Sequence, residues 1–336
     1  MATDTENIGL DDARALITAA LVASGVRRDG ARSVADALVS AEAEGQVGHG
    51  FSRLSDYAAQ VHSGKVAGDA VLRLSETGPA AAIVDAANGF AYPALDCAVD
   101  WVAERATETG CASISVIRSH HCGALSVQVD KIAARGCVGL MVANAPPAIA
   151  PWGAKTPVFG TNPIAFAAPR PNAQPLVIDL SLSRVARGKV MHAKKSGTDI
   201  PTGWALDPDG QPTTDPEAAL QGSMVPIGEA KGTALALIVE ILAAAFAGAN
   251  LSIEVSSYFT ADGPPPGSGQ FLLALKPPDA GFGERLERLL SLVDRLDGAR
   301  LPGQRRAAAL NQARSRGIDV PRHYLDDARR LAAMGG

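Results

Sequence analysis

Apolar residues recur every three or four positions over residues 10–24 and 31–44, the spacing that lays one face of an α-helix on a core. Asp11 and Asp12 open the first segment, where a carboxylate suits a helix N-terminus, and Gly45 follows the second. A helical N-terminal lobe is therefore expected. Short β-rich runs bounded by turns follow at 71–74, 81–84, 112–117, 138–143, 164–168 and 176–178. Helices are expected over 93–108, ended by Gly110, and over 128–134, ended by Gly136. Beyond a Pro-rich stretch, residues 232–248 are rich in Ala and Leu with few charges, which predicts a buried helix. Residues 271–275 give another strand, and residues 281–296 alternate Arg and Glu with Leu at helical spacing, as a solvated amphipathic helix does. Strands and helices mix without one continuous βαβ rhythm. The expected fold class is α/β, a mixed sheet with flanking helices and a helical N-terminal lobe.

A chain of 336 residues can bury a large core and divides into two or three lobes. The expected division is a helical lobe over 1–80, a mixed α/β core over 81–280 and C-terminal helices over 281–336 that pack back on the first lobe. Lys and Arg number 31 against 35 Asp and Glu, a net charge of −4, and no basic tract is interleaved with aromatics. Neither nucleic acid nor an anionic membrane is called for. The apolar run 234–249 is shorter than the roughly 20 residues that a membrane span needs. The first residues, MATDTENIGLDDARAL, are acidic where a secretory signal is basic, so a cytoplasmic protein is expected. Cys97, Cys111, Cys122 and Cys137 have neither metal-ligand nor redox spacing, and no metal site is expected.

Residues 119–231 set Gly, Pro and Asn turns between apolar runs and place polar residues on nearly every turn, the character of a ligand-site wall. Before them stands His49, between Gly48 and Gly50, presented from a backbone with little side-chain cover. If a helix begins near Phe51, positions 49, 53 and 57 share one face, which lines up an imidazole, the Arg53 guanidinium and the Tyr57 phenol. Reduction of a 2-oxo acid needs a proton donor and a cation that grips a carboxylate. His49 and Arg53 fit these roles, the planar fork of Arg53 being able to hold a carboxylate bidentately.

The stretches GHGFSRLSDY, APWGAK, FGTNPIAF, ARGK, PTGWALD, AKG and GARLPGQRR, in this order and spacing, resemble the malate/L-lactate dehydrogenase type 2 family of NAD(P)-dependent oxidoreductases. That family includes sulfolactate dehydrogenase, ureidoglycolate dehydrogenase, 2,3-diketogulonate reductase and the piperideine/pyrroline-2-carboxylate reductases. The resemblance covers nearly the whole chain and implies a non-Rossmann NAD(P)-binding fold. The sequence agrees, because no GxGxxG lies between a strand and a helix, and the Gly-rich segment 263–269 carries three prolines.

By the same resemblance His49 is the general acid/base and Arg53 binds the substrate carboxylate. Cofactor contacts are implied for His121, Cys122, Gly123, Ala124 and Leu125. The backbone amides that open the following helix would suit a pyrophosphate. Asp179, Leu180 and Ser181 match the segment beside the nicotinamide or ribose, although Asp179 could equally cap the next turn. Lys231 matches a cofactor-facing lysine, and Arg305 matches the loop at the adenine end. Thr161, with Asn162 beside it, forms a polar tip suited to substrate, and Arg187 with Gly188 completes the substrate wall. The cofactor is NADP or NAD, with a preference for NADP. The partners expected are a small-molecule substrate and a second copy of the chain in a homodimer.

One departure concerns Gly48, where the family usually has Ser. Its loss removes a hydroxyl that helps polarise the histidine and enlarges the pocket. Lys189 stands where the ketimine reductases carry an acid, which tilts the substrate towards a 2-hydroxy/2-oxo acid. His120, Arg184, Arg187 and Lys189 supply more cationic candidates than one carboxylate needs. The expected substrate is therefore a small dianionic L-2-hydroxy acid, sulfolactate first and malate next. The alternatives are a cyclic ketimine reductase and, in another class, a non-catalytic ligand-binding homologue suggested by Gly48.

Overall fold

The computed structural model describes residues 4–335. Strand β1 (Thr5–Ile8) leads into helices α1 (Leu10–Ala23) and α2 (Arg28–Ala43), and α3 (Leu54–His62) follows two short 3₁₀ turns. Ala13, Ile17, Ala20 and Leu21 of α1 meet Val34, Ala35 and Leu38 of α2 in one buried cluster, the product of the three-and-four spacing of apolar positions.

Next come β2 (Arg73–Gly78), β3 (Ala81–Asp85), α4 (Ala91–Thr109), β4 (Cys111–Ser119), α5 (Leu125–Ala134), β5 (Val138–Ala143), β6 (Ile164–Ala168) and β7 (Leu176–Leu180). The strand expected over 71–74 lies further on, over Arg73–Gly78, because it pairs antiparallel with β3 from Arg73 opposite Asp85. Helix α4 ends where Gly110 takes φ +90°, a conformation that side chains resist.

Helix α6 (Arg187–Ser196), strands β8 (Ala205–Leu206) and β9 (Pro212–Thr213), helix α7 (Pro216–Gln221) and strand β10 (Ser223–Met224) form a small lobe with its own three-stranded sheet. Helix α8 (Ala230–Glu240) then runs into a π-helical turn, Ile241–Phe246. Strand β11 (Ser268–Leu275), helices α9 (Phe282–Asp294) and α10 (Gln304–Arg316), strand β12 (Ile318–Pro321) and helix α11 (Arg322–Ala333) complete the chain.

The main sheet has seven strands in the order β2-β3-β4-β11-β5-β6-β7. Only β3 and β4 run parallel; β11 enters from the far end of the chain between β4 and β5 and is antiparallel to both. A mixed α/β fold without a doubly wound sheet results. Helices α4 and α5 pack with the sheet through Leu95, Val102, Val129 and Ile132, and α8 helps to bury Phe271 of β11 in a second cluster. Strand β12 pairs with β1, and Leu325, Ala328 and Leu331 of α11 enter the core of α1 and α2, so the two chain ends share one lobe.

The segment expected as a buried helix over 232–248 is built the other way. It buries Gly232, Ala236, Val239, Ala243 and Ala244 and exposes Leu235, Leu237, Ile238, Ile241 and Phe246, the last 67 % exposed. Close approach to its neighbours explains this. A Cβ on Gly269 of β11 would lie 1.8 Å from the Ala243 carbonyl, and one on Gly232 would lie 1.7 Å from that of Ile227, so at these two approaches only glycine fits. Composition alone did not distinguish the two faces.

Candidate active site

The chain between α2 and α3 carries His49 and Arg53 on consecutive 3₁₀ turns, Val47–His49 and Phe51–Arg53, rather than on one helix from Phe51. Gly50 separates them. The buried Glu42 of α2 accepts the Phe51 N–H at 2.8 Å, and a Cβ at position 50 would lie 1.9 Å from the same carboxylate oxygen. Glu42 thus holds the turn from beneath, and burial pushes its carboxyl up to about 7. Arg53 spans both turns by donating its Nε–H to the Gly48 carbonyl at 2.8 Å. Its guanidinium lies 4.3 Å from the Phe259 ring centre and 4.0 Å from the Asp56 carboxylate.

Above this turn lies a nest of rings. His49 and His121 face each other nearly parallel, with ring centres 5.3 Å apart and planes 18° apart. His121 Nδ1 is 2.6 Å from the Tyr57 hydroxyl, which is 2.9 Å from the Tyr92 hydroxyl. Whichever way these protons run, the chain of contacts fixes the His121 ring. Tyr258 packs on both His120 and His121, at 5.4 and 5.2 Å between ring centres. Burial first and the Arg53 charge second push His49 down to about 4, so its imidazole is neutral at neutral pH. His121 is also held well below its ordinary value, for the same first cause. The Nδ1 of His49 is buried without a hydrogen-bond partner, an uncommon state for a buried polar atom.

His120 points elsewhere. Its Nε2 meets Gln60 Oε1 at 2.6 Å, and burial pushes its imidazole down to about 3, so it is removed from the cations expected to face substrate. Cys122 is buried and its thiol is pushed up to about 12, leaving backbone rather than sulfur as its means of contact. Gly123 takes φ +65°, and a Cβ there would lie 2.7 Å from the Tyr92 hydroxyl. Ala124 and Leu125 are buried at the start of α5.

The expectation of free amides at the start of α5 is corrected by Asp179. Its carboxylate accepts the Ser126 N–H at 2.8 Å and is also drawn to the Leu125 N–H, so those donors are engaged within the protein. Asp179 caps α5 from β7 rather than capping its own next turn, and Arg306 stands 3.9 Å away. Leu180 is partly exposed, and the Ser181 hydroxyl meets that of Ser183 at 3.1 Å.

A cavity of about 460 Å³ opens beside β7, lined among others by Glu44, Arg170, Val177, Leu301, Arg306 and Arg314. Arg306, not Arg305, faces this cavity; Arg305 is exposed on the outer side of α10. The difference is one of helix phase, since the helix begins only at Gln304 and turns its second residue outward.

The expected substrate wall is more open. Thr161 is half-buried and its carbonyl accepts the Leu182 N–H at 2.8 Å. Asn162 is no exposed tip. Fully buried, it donates to the Ala236 carbonyl at 3.0 Å and to Glu240 at 2.9 Å, bracing α8. Arg187 starts α6, reaching the Pro147 and Leu220 carbonyls at 3.4 Å each, and Gly188 is exposed beside it. Arg184 is 3.9 Å from Glu229, Lys189 is 6.0 Å from the Trp204 ring centre, and Lys231 is exposed on the first turn of α8. Among the described residues none of Thr161, Arg187, Gly188 or Lys231 bonds to His49 or Arg53.

Glu42, Tyr92, Tyr258, Phe259 and Arg306 were not singled out from sequence. A lone acid on the apolar face of a helix was a usable signal for Glu42. The others meet the site through the tertiary fold, from segments far apart in the chain. The cavity beside β7 carries the guanidinium groups of Arg170, Arg306 and Arg314, a donor set that fits the phosphates of a dinucleotide; His49 and Arg53 lie outside its lining.

The sequence profile of the malate/L-lactate dehydrogenase family matches residues 8–328. The chain is 46% identical to the (2R)-3-sulfolactate dehydrogenase (NADP(+)) of Chromohalobacter salexigens, over 97% of this chain and 98% of that one. It is 34% identical to the Δ1-pyrroline-2-carboxylate reductase of Ancylobacter novellus over 98% of each. The crystal structure of Δ1-piperideine-2-carboxylate reductase from Pseudomonas syringae superposes with a TM-score of 0.92 at 35% identity, covering 97% of this chain and 100% of that one. Sulfolactate dehydrogenase from Methanocaldococcus jannaschii gives 0.90 at 26% identity over 98% of each. The chain belongs to the malate/L-lactate dehydrogenase family and is an NAD(P)-dependent oxidoreductase.

Proposed function

We propose that the enzyme interconverts sulfolactate and 3-sulfopyruvate with NADP, with malate and oxaloacetate as the next pair. Oxidation removes a hydride from C2 and a proton from the hydroxyl; the cofactor, when bound, accepts the hydride. His49 accepts the proton in its neutral form and returns it to the carbonyl oxygen in reduction. Arg53 grips the carboxylate, and its charge is offset by that anion, which raises the proton affinity of the neighbouring His49. The observation that carries this reading is the neutral His49 imidazole beside the Arg53 guanidinium, on the turn that Arg53 braces.

The sulfolactate assignment is supported by the relative at 46% identity and by Gly48, where a built Cβ meets no atom within 4 Å, leaving room beside His49. The (2R) form of sulfolactate has the spatial arrangement of L-lactate, because sulfur changes the naming priority at C2. Arg187 with Gly188, and Thr161, would then receive the second anionic group. His121, the backbone of residues 122–125, Asp179, Leu180, Ser181 and Lys231 would line the nicotinamide half of the cofactor, and the loop with Arg305 and Arg306 its adenine end. The similarity to pyrroline-2-carboxylate and piperideine-2-carboxylate reductases favours a second reading, reduction of a cyclic ketimine with one carboxylate on Arg53.

Initial rates at the nicotinamide absorbance band, with NADP and NAD, compare sulfolactate, malate, lactate and piperideine-2-carboxylate in one buffer. The highest kcat/KM for sulfolactate with NADP is expected. Superiority of lactate or of the imine would replace the dianion reading. The outward apolar face of α8 and its π turn further supports a homodimer, since so large an exposed patch marks an interface. A dimer is expected in sedimentation velocity at micromolar concentration, and a monomer would refute it.

A further inference from the structure

Residues 256–263 cross the mouth of the ring nest, and α3 with the turn after it fastens them with unusual thoroughness. Buried Lys65 donates to three carbonyls of this strap, those of Ser257 at 2.7 Å, Thr260 at 3.0 Å and Asp262 at 2.8 Å, which uses every proton of its ammonium group. Gln60 donates to the Tyr258 carbonyl and Ser63 to that of Ala261, each at 2.9 Å. Five consecutive or near-consecutive carbonyls are thereby held from one side.

The strap carries two neighbouring rings with different duties. Tyr258 is buried against His120 and His121. Phe259 lies over the Arg53 guanidinium yet remains 42 % exposed, so it is a poor candidate for core packing. A ring on one face of a guanidinium dries that face and leaves the N–H edge for an anion, which strengthens a charge-assisted pair. Its open side then borders whatever is attached to the bound carboxylate.

We propose that Phe259 is a specificity-determining residue, the wall that limits the side chain of the 2-oxo acid held by Arg53, and that Lys65 is the positioning residue that pins this wall. The inference rests on the assignment of Arg53 to the substrate carboxylate. Replacing the ring opens space on the substrate side, so Phe259→Ala is expected to raise the kcat/KM of phenylpyruvate relative to pyruvate about tenfold, the scale set by a few methylene-sized contacts. It is also expected to raise KM for both, because the guanidinium becomes wet. Phe259→Tyr should retain the wild-type ratio, and Lys65→Met, which frees the strap, should move the ratio in the same direction as Phe259→Ala.

Arg53→Met separates this idea from its foundation. A large, equal loss of kcat/KM for both acids in Arg53→Met with an unchanged ratio in Phe259→Ala overturns the wall and leaves the carboxylate assignment standing. Retention of wild-type KM in Arg53→Met overturns the assignment itself. Phe259 is exposed, so its variants test the wall even where Lys65→Met does not fold.

Discussion

Around His49 the side chains hold one another. Glu42 takes the Phe51 amide, Arg53 reaches back to Gly48, Tyr57 fixes His121, and Asp179 closes the start of α5 beneath them. Around Arg187 the contacts are long or solvent-facing, with carbonyls at 3.4 Å and Gly188, Lys189 and Lys231 all exposed. The first region is arranged for a step that needs one protonation state and one geometry. The second has latitude to change with the substrate. On the proposed assignment of His49 as the proton site and Arg187 as an outer cation, a family that acts on both hydroxy acids and ketimine carboxylates can keep the first region and vary the second.

Substitutions in the two regions sharpen the contrast. The largest effect is expected for His49→Ala, which should lower turnover roughly 100-fold or more while cofactor affinity, measured by fluorescence titration, stays near wild type. Unchanged turnover would break the distinction at its centre. A smaller effect comes from making one substitution on both sides. Gly123→Ala places a Cβ at φ +65° and 2.7 Å from the Tyr92 hydroxyl, and is expected to cost about 1–3 kcal/mol in denaturant unfolding. Gly188→Ala sits in helix α6 with no atom within 4 Å of its new Cβ, and is expected to stabilise by about 0.5–1 kcal/mol. Equal costs at both positions would show that the two regions are packed alike.

Much of the frame was legible in the sequence because local patterns decide it. The spacing of apolar residues gave α1, α2 and α4, and short β-rich runs gave β3 to β7, with boundaries near those observed. Helix α6, helix α7, the pairing of N-terminal β1 with C-terminal β12 and the entry of β11 into the sheet centre depend on contacts between distant segments, which periodicity does not carry. The inversion of α8 has the same origin, since its inward face is set by how closely Gly269 approaches Ala243. At the site, His49, Arg53 and Tyr57 were found from spacing and they do converge, though through 3₁₀ turns instead of a continuous helix. Asn162 and His120 looked available because both are polar residues on turns; both are buried, and the fold spends the Asn162 amide N–H groups on α8 and the His120 Nε2 on Gln60. Phe259 left no local trace, because its partner Arg53 lies about 200 residues earlier in the chain.

The central claim is that a neutral, half-buried His49 takes the alcohol proton, and the pH dependence of kcat/KM for hydroxy-acid oxidation tests it most directly. This quantity reports the enzyme before the hydroxy acid binds, and burial and Arg53 lower His49 there from 6.5 to about 4. Protonated imidazole cannot accept a proton, so the rate is lost as pH falls through that value and is retained above it. The account predicts an acid limb near pH 4, with activity held through pH 6.5, and the loss of that limb in the residual activity of His49→Ala. An acid limb centred near 6.5, or one that persists unchanged in His49→Ala, would contradict it.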